Sequence, residues 1–262
     1  TRRNGKVSKG VLNMRYRRTH IVGKTWLMVL AIGALFMVPR ARALQGADVA
    51  IYAGYGTWDK GNGAVGNMLT TLGFTWEKVY AGDLNGSPQN FAALYKVLIV
   101  PGGYALYYNR DISAAGKQRI RNFVNQGGGF IGICAGAYFA CDKIRWEGVD
   151  YDDAAGYNLD LMSCTGIGPA NDIADWNTVG YNMTGVRFDG NTAQLASYKT
   201  GTFSEQLLYY GGQWFQLPAN SGVTTLGVYS SPSSITGLPA VVSSLYGAGR
   251  VVLTGPHPEI EE

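Results

Sequence analysis

The segment with the most recognisable chemistry is Gly-Ile-Cys-Ala-Gly at residues 132–136. It follows an apolar stretch typical of a strand and precedes a stretch typical of a helix, which is the context in which a nucleophile stands on a sharp turn. The flanking glycines permit that turn, and a helix start favours the reactive thiolate. We therefore interpret Cys134 as a candidate nucleophile. The alternative is a small buried cysteine in a tight turn.

A candidate base for this cysteine lies near the end of the sequence, in Gly-Pro-His-Pro-Glu at residues 255–259. Pro258 restricts His257 to an extended backbone, and residues two apart in an extended chain point the same way. Glu259 can therefore hold the imidazole, as the third member of a catalytic triad does. The alternative is a stiff surface turn. Since the segment follows the last predicted strand, we expect replacement of His257 to leave no large cavity.

The motif Pro-Gly-Gly at residues 101–103 follows another apolar run. Glycine lets the backbone approach a ligand closely, so an N–H group of Gly102 or Gly103 could join that of Ala135 in an oxyanion hole. A simple turn is the alternative. The site is expected to need no cofactor, and no metal, because the sequence lacks clustered ligands. The three cysteines predict either one disulfide and a free thiol or three thiols.

The elements that must position these motifs alternate along the chain. Strands are predicted at 48–53, 75–79, 95–100, 130–133, 226–229, 240–245 and 250–254, and helices at 64–72, 113–125 and 135–140. This alternation predicts an α/β fold, a three-layer sandwich with a mostly parallel sheet, whose sites form at the carboxyl ends of strands. A glycine-rich loop is predicted at 54–63, loops and short strands at about 146–216, and one domain over 44–262.

The N-terminal residues indicate export. Residues 1–43 hold ten Lys or Arg and no acidic residue, with an apolar run at 26–38 followed by Ala-Arg-Ala. This pattern predicts a secretory signal peptide cleaved after Ala43, with Met14 as a plausible start. An uncleaved anchor, which would be the chain's only membrane contact, and a twin-arginine signal are the alternatives. The remaining residues carry a net charge of −6, which argues against nucleic-acid binding.

Three motifs in this order resemble the class I glutamine amidotransferases. They are a strand ending in Pro-Gly-Gly, the sharp turn Gly-Ile-Cys-Ala-Gly that carries Cys134 (the cysteine elbow), and a late His-Pro-Glu. Within that superfamily the sequence is most similar to the amidotransferase-like domain at the N-terminus of some biotin–protein ligases. The likeness runs through residues 100–104, 132–140, 166–169 and 210–212. It implies a flavodoxin-like sheet with the cysteine at its centre.

The resemblance implies hydrolysis of a small-molecule or peptide amide by Cys134, His257 and Glu259. Glutamine-hydrolysing members have a glutamine four residues after the nucleophile that helps to seat the substrate, and here Tyr138 occupies that position. Such domains feed ammonia to a synthase partner, and none is evident for an exported chain. The sequence contains no biotin-ligase catalytic domain.

Two further interpretations remain open. The chain could be a binding module that keeps the geometry of the site without turnover. Six tyrosines could line its pocket, or they could simply pack in the core. They are Tyr104, Tyr107, Tyr108, Tyr138, Tyr209 and Tyr210. It could also be a relative of chaperone-like and protease-like proteins that place histidine directly after the cysteine. Here that residue is Ala135.

Overall fold

The structure is a computed structural model that describes residues 43–87, 89–151, 158–178 and 180–260. The predicted signal peptide, apart from Ala43, lies outside these residues. Within the described ranges, no helix has both the length and the apolar character that a membrane crossing requires.

Thirteen strands and six α-helices build the described part of the chain. The strands are β1 (Val49–Tyr52), β2 (Trp76–Val79), β3 (Val97–Val100), β4 (Gly129–Ile133), β5 (Cys141–Trp146), β6 (Val149–Tyr151), β7 (Met162–Gly168), β8 (Tyr181–Asp189), β9 (Thr202–Tyr210), β10 (Trp214–Gln216), β11 (Thr224–Tyr229), β12 (Pro239–Tyr246) and β13 (Gly249–Thr254). The helices are α1 (Asp59–Thr71), α2 (Ala81–Gly86), α3 (Phe91–Leu94), α4 (Ala105–Asp111), α5 (Ala114–Asn125) and α6 (Ala135–Ala140).

The α/β fold predicted from the sequence is confirmed. A nine-stranded sheet has the order β2-β1-β3-β4-β13-β12-β11-β8-β9. The strands from β2 to β13 pair in parallel, as expected for apolar strands separated by helices. From β13 to β9 every pair is antiparallel, so the sheet is parallel in one half and antiparallel in the other.

The antiparallel half of the sheet curls back on itself. β9 is the last strand in hydrogen-bonding order and is four strands away from β13, about 19 Å in a flat sheet. Nevertheless Leu208 in β9 forms a bridge with His257, which follows β13, and the His257 N–H donates to the Leu208 carbonyl over 2.7 Å. This closure encloses an apolar cluster of its own, which includes Val186, Tyr209 and Tyr229.

A second sheet, of order β10-β7-β5-β6, follows the cysteine elbow directly in sequence. Its first long strand, β5, begins at Cys141, the residue after α6. The sequence analysis placed residues 146–216 in loops and short strands. That prediction is wrong for β8 and β9, which are nine residues long each. Their exposed faces and many polar residues hide the alternation that identifies a strand.

The predicted loop at 54–63 is also wrong in part, since α1 begins at Asp59 and contains Gly61, Gly63 and Gly66. Glycine is a poor helix former, but tight packing overrides its propensity here. A Cβ on Gly66 would lie 2.7 Å from the Trp76 ring. The predicted helices at 113–125 and 135–140 agree with α5 and α6, and the Ser113 side chain caps α5 by accepting from the Gly116 N–H.

Candidate active site

Cys134 stands on a sharp turn between β4 and α6. Its φ of 49° and ψ of −107° are unusual for a residue with a side chain, and backbone of this kind concentrates at functional sites. The two neighbouring glycines permit close backbone approach. A Cβ on Gly132 would lie 2.7 Å from the carbonyl oxygen of Gly136, and one on Gly136 would overlap the carbonyl of Val100. The turn therefore requires glycine at both positions.

His257 is held by both its main chain and its side chain. The bridge to Leu208 fixes the backbone. Nδ1 of the imidazole lies 2.8 Å from Oε1 of Glu259, and the Trp58 ring meets the imidazole edge-on at a centroid distance of 5.3 Å. Its other neighbour is Gly102, where an added Cβ would overlap Cε1 of the imidazole. The ring consequently has one position available.

The His257–Glu259 pair is buried, with side-chain exposures of 2% and 0%. The expectation that replacing His257 would leave no large cavity is therefore wrong. The closure of the antiparallel strands, which the sequence did not reveal, covers the segment. Burial alone would lower the pKa of His257, but the charge of Cys134 and a hydrogen bond with it, together with the hydrogen bond and charge of Glu259, outweigh burial and raise this pKa to about 10.

The thiol of Cys134 bonds to a main-chain carbonyl. Sγ donates to the carbonyl oxygen of Tyr210 over 3.4 Å. Gly211, whose φ is 66°, turns the chain after Tyr210, and a Cβ there would lie 2.5 Å from the Trp176 ring. Nε2 of His257 and Oε2 of Glu259 have no hydrogen-bond partner among the residues that the structure describes.

The proposed backbone donors lie beside the cysteine. The carbonyl oxygen of Gly102 accepts from the Trp58 N–H and from the Tyr108 hydroxyl, each over 2.9 Å. Because a trans peptide directs its C=O and N–H in opposite directions, these bonds also fix the direction of the Gly103 N–H. Ala135 opens α6, so its N–H has no acceptor within the helix. Gly103, Cys134 and Ala135 line one cavity.

Tyr138 lines the same cavity and is 3% exposed. Its hydroxyl packs against Gly168, where an added Cβ would overlap it, and has no hydrogen-bond partner within the described ranges. Burial raises the pKa of Tyr138 well above its ordinary value, so the phenol stays neutral. A neutral phenol ring therefore fills the position at which glutamine-hydrolysing members of the superfamily carry glutamine.

The tyrosines that the sequence analysis grouped as a possible pocket separate in the structure. Tyr104, Tyr138 and Tyr210 line the cavity at Cys134, whereas Tyr108 and Tyr209 are fully buried. Eight lining residues were missed by sequence reasoning: Ala105, Leu106, Asn109, Ile144, Trp146, Tyr151, Asn158 and Trp176. A high local content of aromatic residues after β5 was the one available signal.

The geometry and fold together define an α/β domain with a cysteine elbow, and comparison with known proteins agrees. Residues 47–262 match the family described as biotin-protein ligase, N terminal. The chain belongs to this family, and the resemblance found in the motifs is confirmed.

Two curated relatives match part of the chain. An uncharacterised protein of Chlamydia muridarum (strain MoPn / Nigg) is 30% identical over 166 residues, which is 63% of this chain and 60% of the relative. The biotin–protein ligase of Schizosaccharomyces pombe is 26% identical over 166 residues, which is 62% of this chain and 25% of that protein. The match therefore spans less than two thirds of either relative.

Among solved structures, a putative ThuA-like protein from Bacteroides uniformis has a TM-score of 0.51 at 14% identity, covering 83% of this chain and 85% of that one. At this identity the likeness shows a shared fold.

Proposed function

We propose that this chain is a cysteine-dependent amide hydrolase in which Cys134 is the nucleophile, His257 transfers the proton and Glu259 holds the imidazole. The observation that carries the proposal is the buried contact of 2.8 Å between Nδ1 of His257 and Oε1 of Glu259. This contact orients the imidazole and leaves Nε2 without a partner in the described part of the protein. A buried imidazolium beside a cysteine is an arrangement that stabilises a thiolate.

The reaction would proceed in two halves. The Cys134 thiolate attacks the amide carbonyl, and the N–H groups of Ala135 and Gly103 stabilise the resulting oxyanion. The C–N bond then breaks as His257 donates its proton to the leaving amine, which gives a thioester. Water attacks the thioester carbonyl after losing a proton to His257, and breakage of the C–S bond releases the carboxylic acid and restores the thiolate–imidazolium pair.

Membership in the family supports the fold and the amidotransferase-like superfamily on which the proposal depends. The Schizosaccharomyces pombe relative is named as a biotin–protein ligase, but the match covers only 25% of that protein. Biotin transfer is therefore not part of the proposal. Export after cleavage at Ala43 is likewise part of the proposal. It is supported by the basic and apolar composition of residues 1–43.

A second candidate function is a binding domain that does not turn its ligand over. The hydrogen bond from the Cys134 thiol to the Tyr210 carbonyl favours it, because a bond that the neutral thiol donates favours the neutral form over the thiolate. Tyr138 in place of glutamine points the same way, since a ring at that position removes polar groups that would seat a glutamine substrate.

Alkylation of Cys134 by iodoacetamide at pH 7 tests the proposal in the wild type, His257→Ala, Glu259→Gln and the double variant. An ordinary thiol with a pKa near 8.5 is only about 3% thiolate at pH 7, so losing the imidazolium can slow alkylation by up to about 30-fold. Glu259→Gln should lose less, because the imidazole remains. The double variant should resemble His257→Ala, since triad members act as a unit.

Cys141 and Cys164 provide internal controls in the same protein, and thermal unfolding monitors the cavity left by His257→Ala. Release of amine from a panel of amides then separates hydrolase from binding domain. Fast alkylation together with turnover that is lost in Cys134→Ser supports the hydrolase. An alkylation rate unchanged in His257→Ala contradicts the triad.

A further inference from the structure

The cavity beside Cys134 has a volume of about 130 Å³. Its walls are largely aromatic and form a chain of ring contacts. Tyr138 meets Trp146 at a centroid distance of 5.7 Å, Trp146 meets Trp176 at 5.4 Å, and Trp176 meets Tyr210 at 5.6 Å. A cavity of about 150 Å³ with apolar walls holds one benzene molecule. The space beside the thiol therefore matches one six-membered ring.

The described lining of this cavity contains no Asp, Glu, Lys, Arg or His. Lys117 contacts two of its members, donating to Asn109 and lying 5.9 Å from the Phe139 ring, but it does not itself line the cavity. A charged group that leaves water without a partner of opposite charge pays a desolvation penalty. A free amino acid such as glutamine carries an ammonium and a carboxylate, and no described lining residue carries a charge that could pair with either group.

Two neutral polar groups in the described part of the wall lack a protein partner: the Tyr138 hydroxyl, which packs against Gly168, and the side-chain amide of Asn158. Asn158 is 2% exposed and lines the cavity, and its Nδ2 has no hydrogen-bond acceptor in the described part of the chain. Buried amide donors are normally bonded, so an acceptor on a ligand would complete this site. The donor suits a carbonyl or ring acceptor of an uncharged molecule.

From these three observations we infer that the cavity selects a substrate carrying one uncharged aromatic ring next to the amide, and that it discriminates against free glutamine. The inference rests on the proposed function, since it names the substrate class of the same site. The rings of Trp146 and Trp176 would stack against the substrate ring edge-on or offset, as aromatic pairs prefer. Tyr138 closes the position that a polar glutamine occupies in glutamine-hydrolysing relatives.

Chloroacetamides with different tails test the inference, because attack of the Cys134 sulfur forms an S–C bond and expels chloride whatever the tail. The probes are N-benzylchloroacetamide, its 4-carboxy and 4-aminomethyl derivatives, and unsubstituted chloroacetamide. Each rate on Cys134 is divided by the rate of the same probe with glutathione, which removes intrinsic differences in reactivity. The benzyl probe should exceed unsubstituted chloroacetamide by roughly tenfold or more, as burial of a ring in an apolar pocket predicts. Both charged derivatives should fall below the benzyl probe.

Trp146→Leu should reduce the ratio of benzyl to unsubstituted rates, and the ratio cancels any general change in thiol reactivity. Tyr198→Leu is the matched control, since Tyr198 is 78% exposed and lies outside the cavity. Equal rates for all tails, preference for a charged tail, or an unchanged ratio in Trp146→Leu would overturn the inference while leaving the hydrolase proposal intact.

The hydrolase proposal can fail separately. If iodoacetamide alkylates Cys134 no faster than an ordinary thiol, the ring inference is decided by equilibrium binding instead. Benzamide, benzoate and benzylamine are then titrated into Cys134→Ser and followed by the fluorescence of the cavity tryptophans. Saturable binding of benzamide alone supports the inference, and failure of benzamide to bind contradicts it.

Discussion

Gly102→Ala is a small change that should act on the proposed chemistry mainly through His257. The backbone at Gly102 lies outside the left-handed region, so alanine brings no conformational strain. Its methyl group would overlap Cε1 of the imidazole and lie 3.4 Å from both ring nitrogens. Since carbon atoms in contact are normally 3.5–4.0 Å apart, the ring must move by about 1 Å or more.

The expected cost follows from that displacement. Overpacking a filled site destabilises a protein by about 1–3 kcal/mol, which this fold should survive. A shift of about 1 Å in a catalytic group can reduce a rate by about 100-fold. For alkylation at pH 7 the loss has an upper limit of about 30-fold, since an unassisted thiol is still about 3% thiolate. We therefore expect alkylation of Cys134 in Gly102→Ala to slow by about 10- to 30-fold.

The assay is the iodoacetamide rate on Cys134 at pH 7, followed by mass spectrometry, with urea unfolding for stability. Gly63→Ala is the matched control, because Gly63 is helical and an added Cβ meets no atom within 4 Å. It should leave the rate unchanged and raise stability by up to about 1 kcal/mol. A folded Gly102→Ala protein that alkylates as fast as the wild type would refute the role assigned to His257.

Three further outcomes are expected. The pKa of His257 is raised from 6.5 to about 10 in the folded protein, so the protonated imidazole contributes fully to the free energy of unfolding below pH 6.5, and this contribution is lost as the pH rises towards 10. Glu259→Gln should make the free energy of unfolding in urea depend less on pH. Parallel pH curves for the wild type and Glu259→Gln would contradict this expectation. Cys141 and Cys164 are fully buried, so peptide mapping of native, reduced protein should find iodoacetamide on Cys134 first. Equal labelling of all three cysteines would contradict this expectation. N-terminal sequencing of exported protein should begin at Leu44 or within a residue or two, and retention of residues 14–43 would exclude cleavage.

The parallel half of the fold could be predicted from sequence because its signals are local. Apolar runs ending in Pro-Gly-Gly or in the cysteine elbow identify buried strands and their ends, and the topology of α/β sheets then brings those ends together. The contact between His257 and Glu259 also follows from local geometry, since Pro258 makes the segment extended. These features depend on few residues that are close in sequence.

The antiparallel half could not be predicted, because its role depends on long-range main-chain contacts. The Leu208 and Tyr210 carbonyls bind His257 and Cys134 through backbone atoms that any residue type would supply. The aromatic cavity is equally hidden, since Trp146 at the end of β5 and Trp176 in the segment before β8 are brought together only by tertiary packing. Tertiary packing also determined the start of α1, where glycines fit beneath neighbouring rings and a propensity argument gives the wrong answer.

The position of β9 links the reactivity of the site to local unfolding. The free energy of local opening is lowest where backbone hydrogen bonds are exposed and buried apolar contacts are few. Beyond its pairing with β8, β9 is joined to the sheet by the Leu208–His257 bridge, and most of its residues are exposed or half-buried. Its carbonyls contact both His257 and Cys134, so its opening would separate the proposed acid from the proposed nucleophile while the parallel core stayed folded. On heating or in mild denaturant, the enhanced reactivity that we propose for Cys134 should disappear together with amide protection in β9, before the strands around β4 begin to exchange. The thiol thus reports the integrity of a strand more than seventy residues away in sequence.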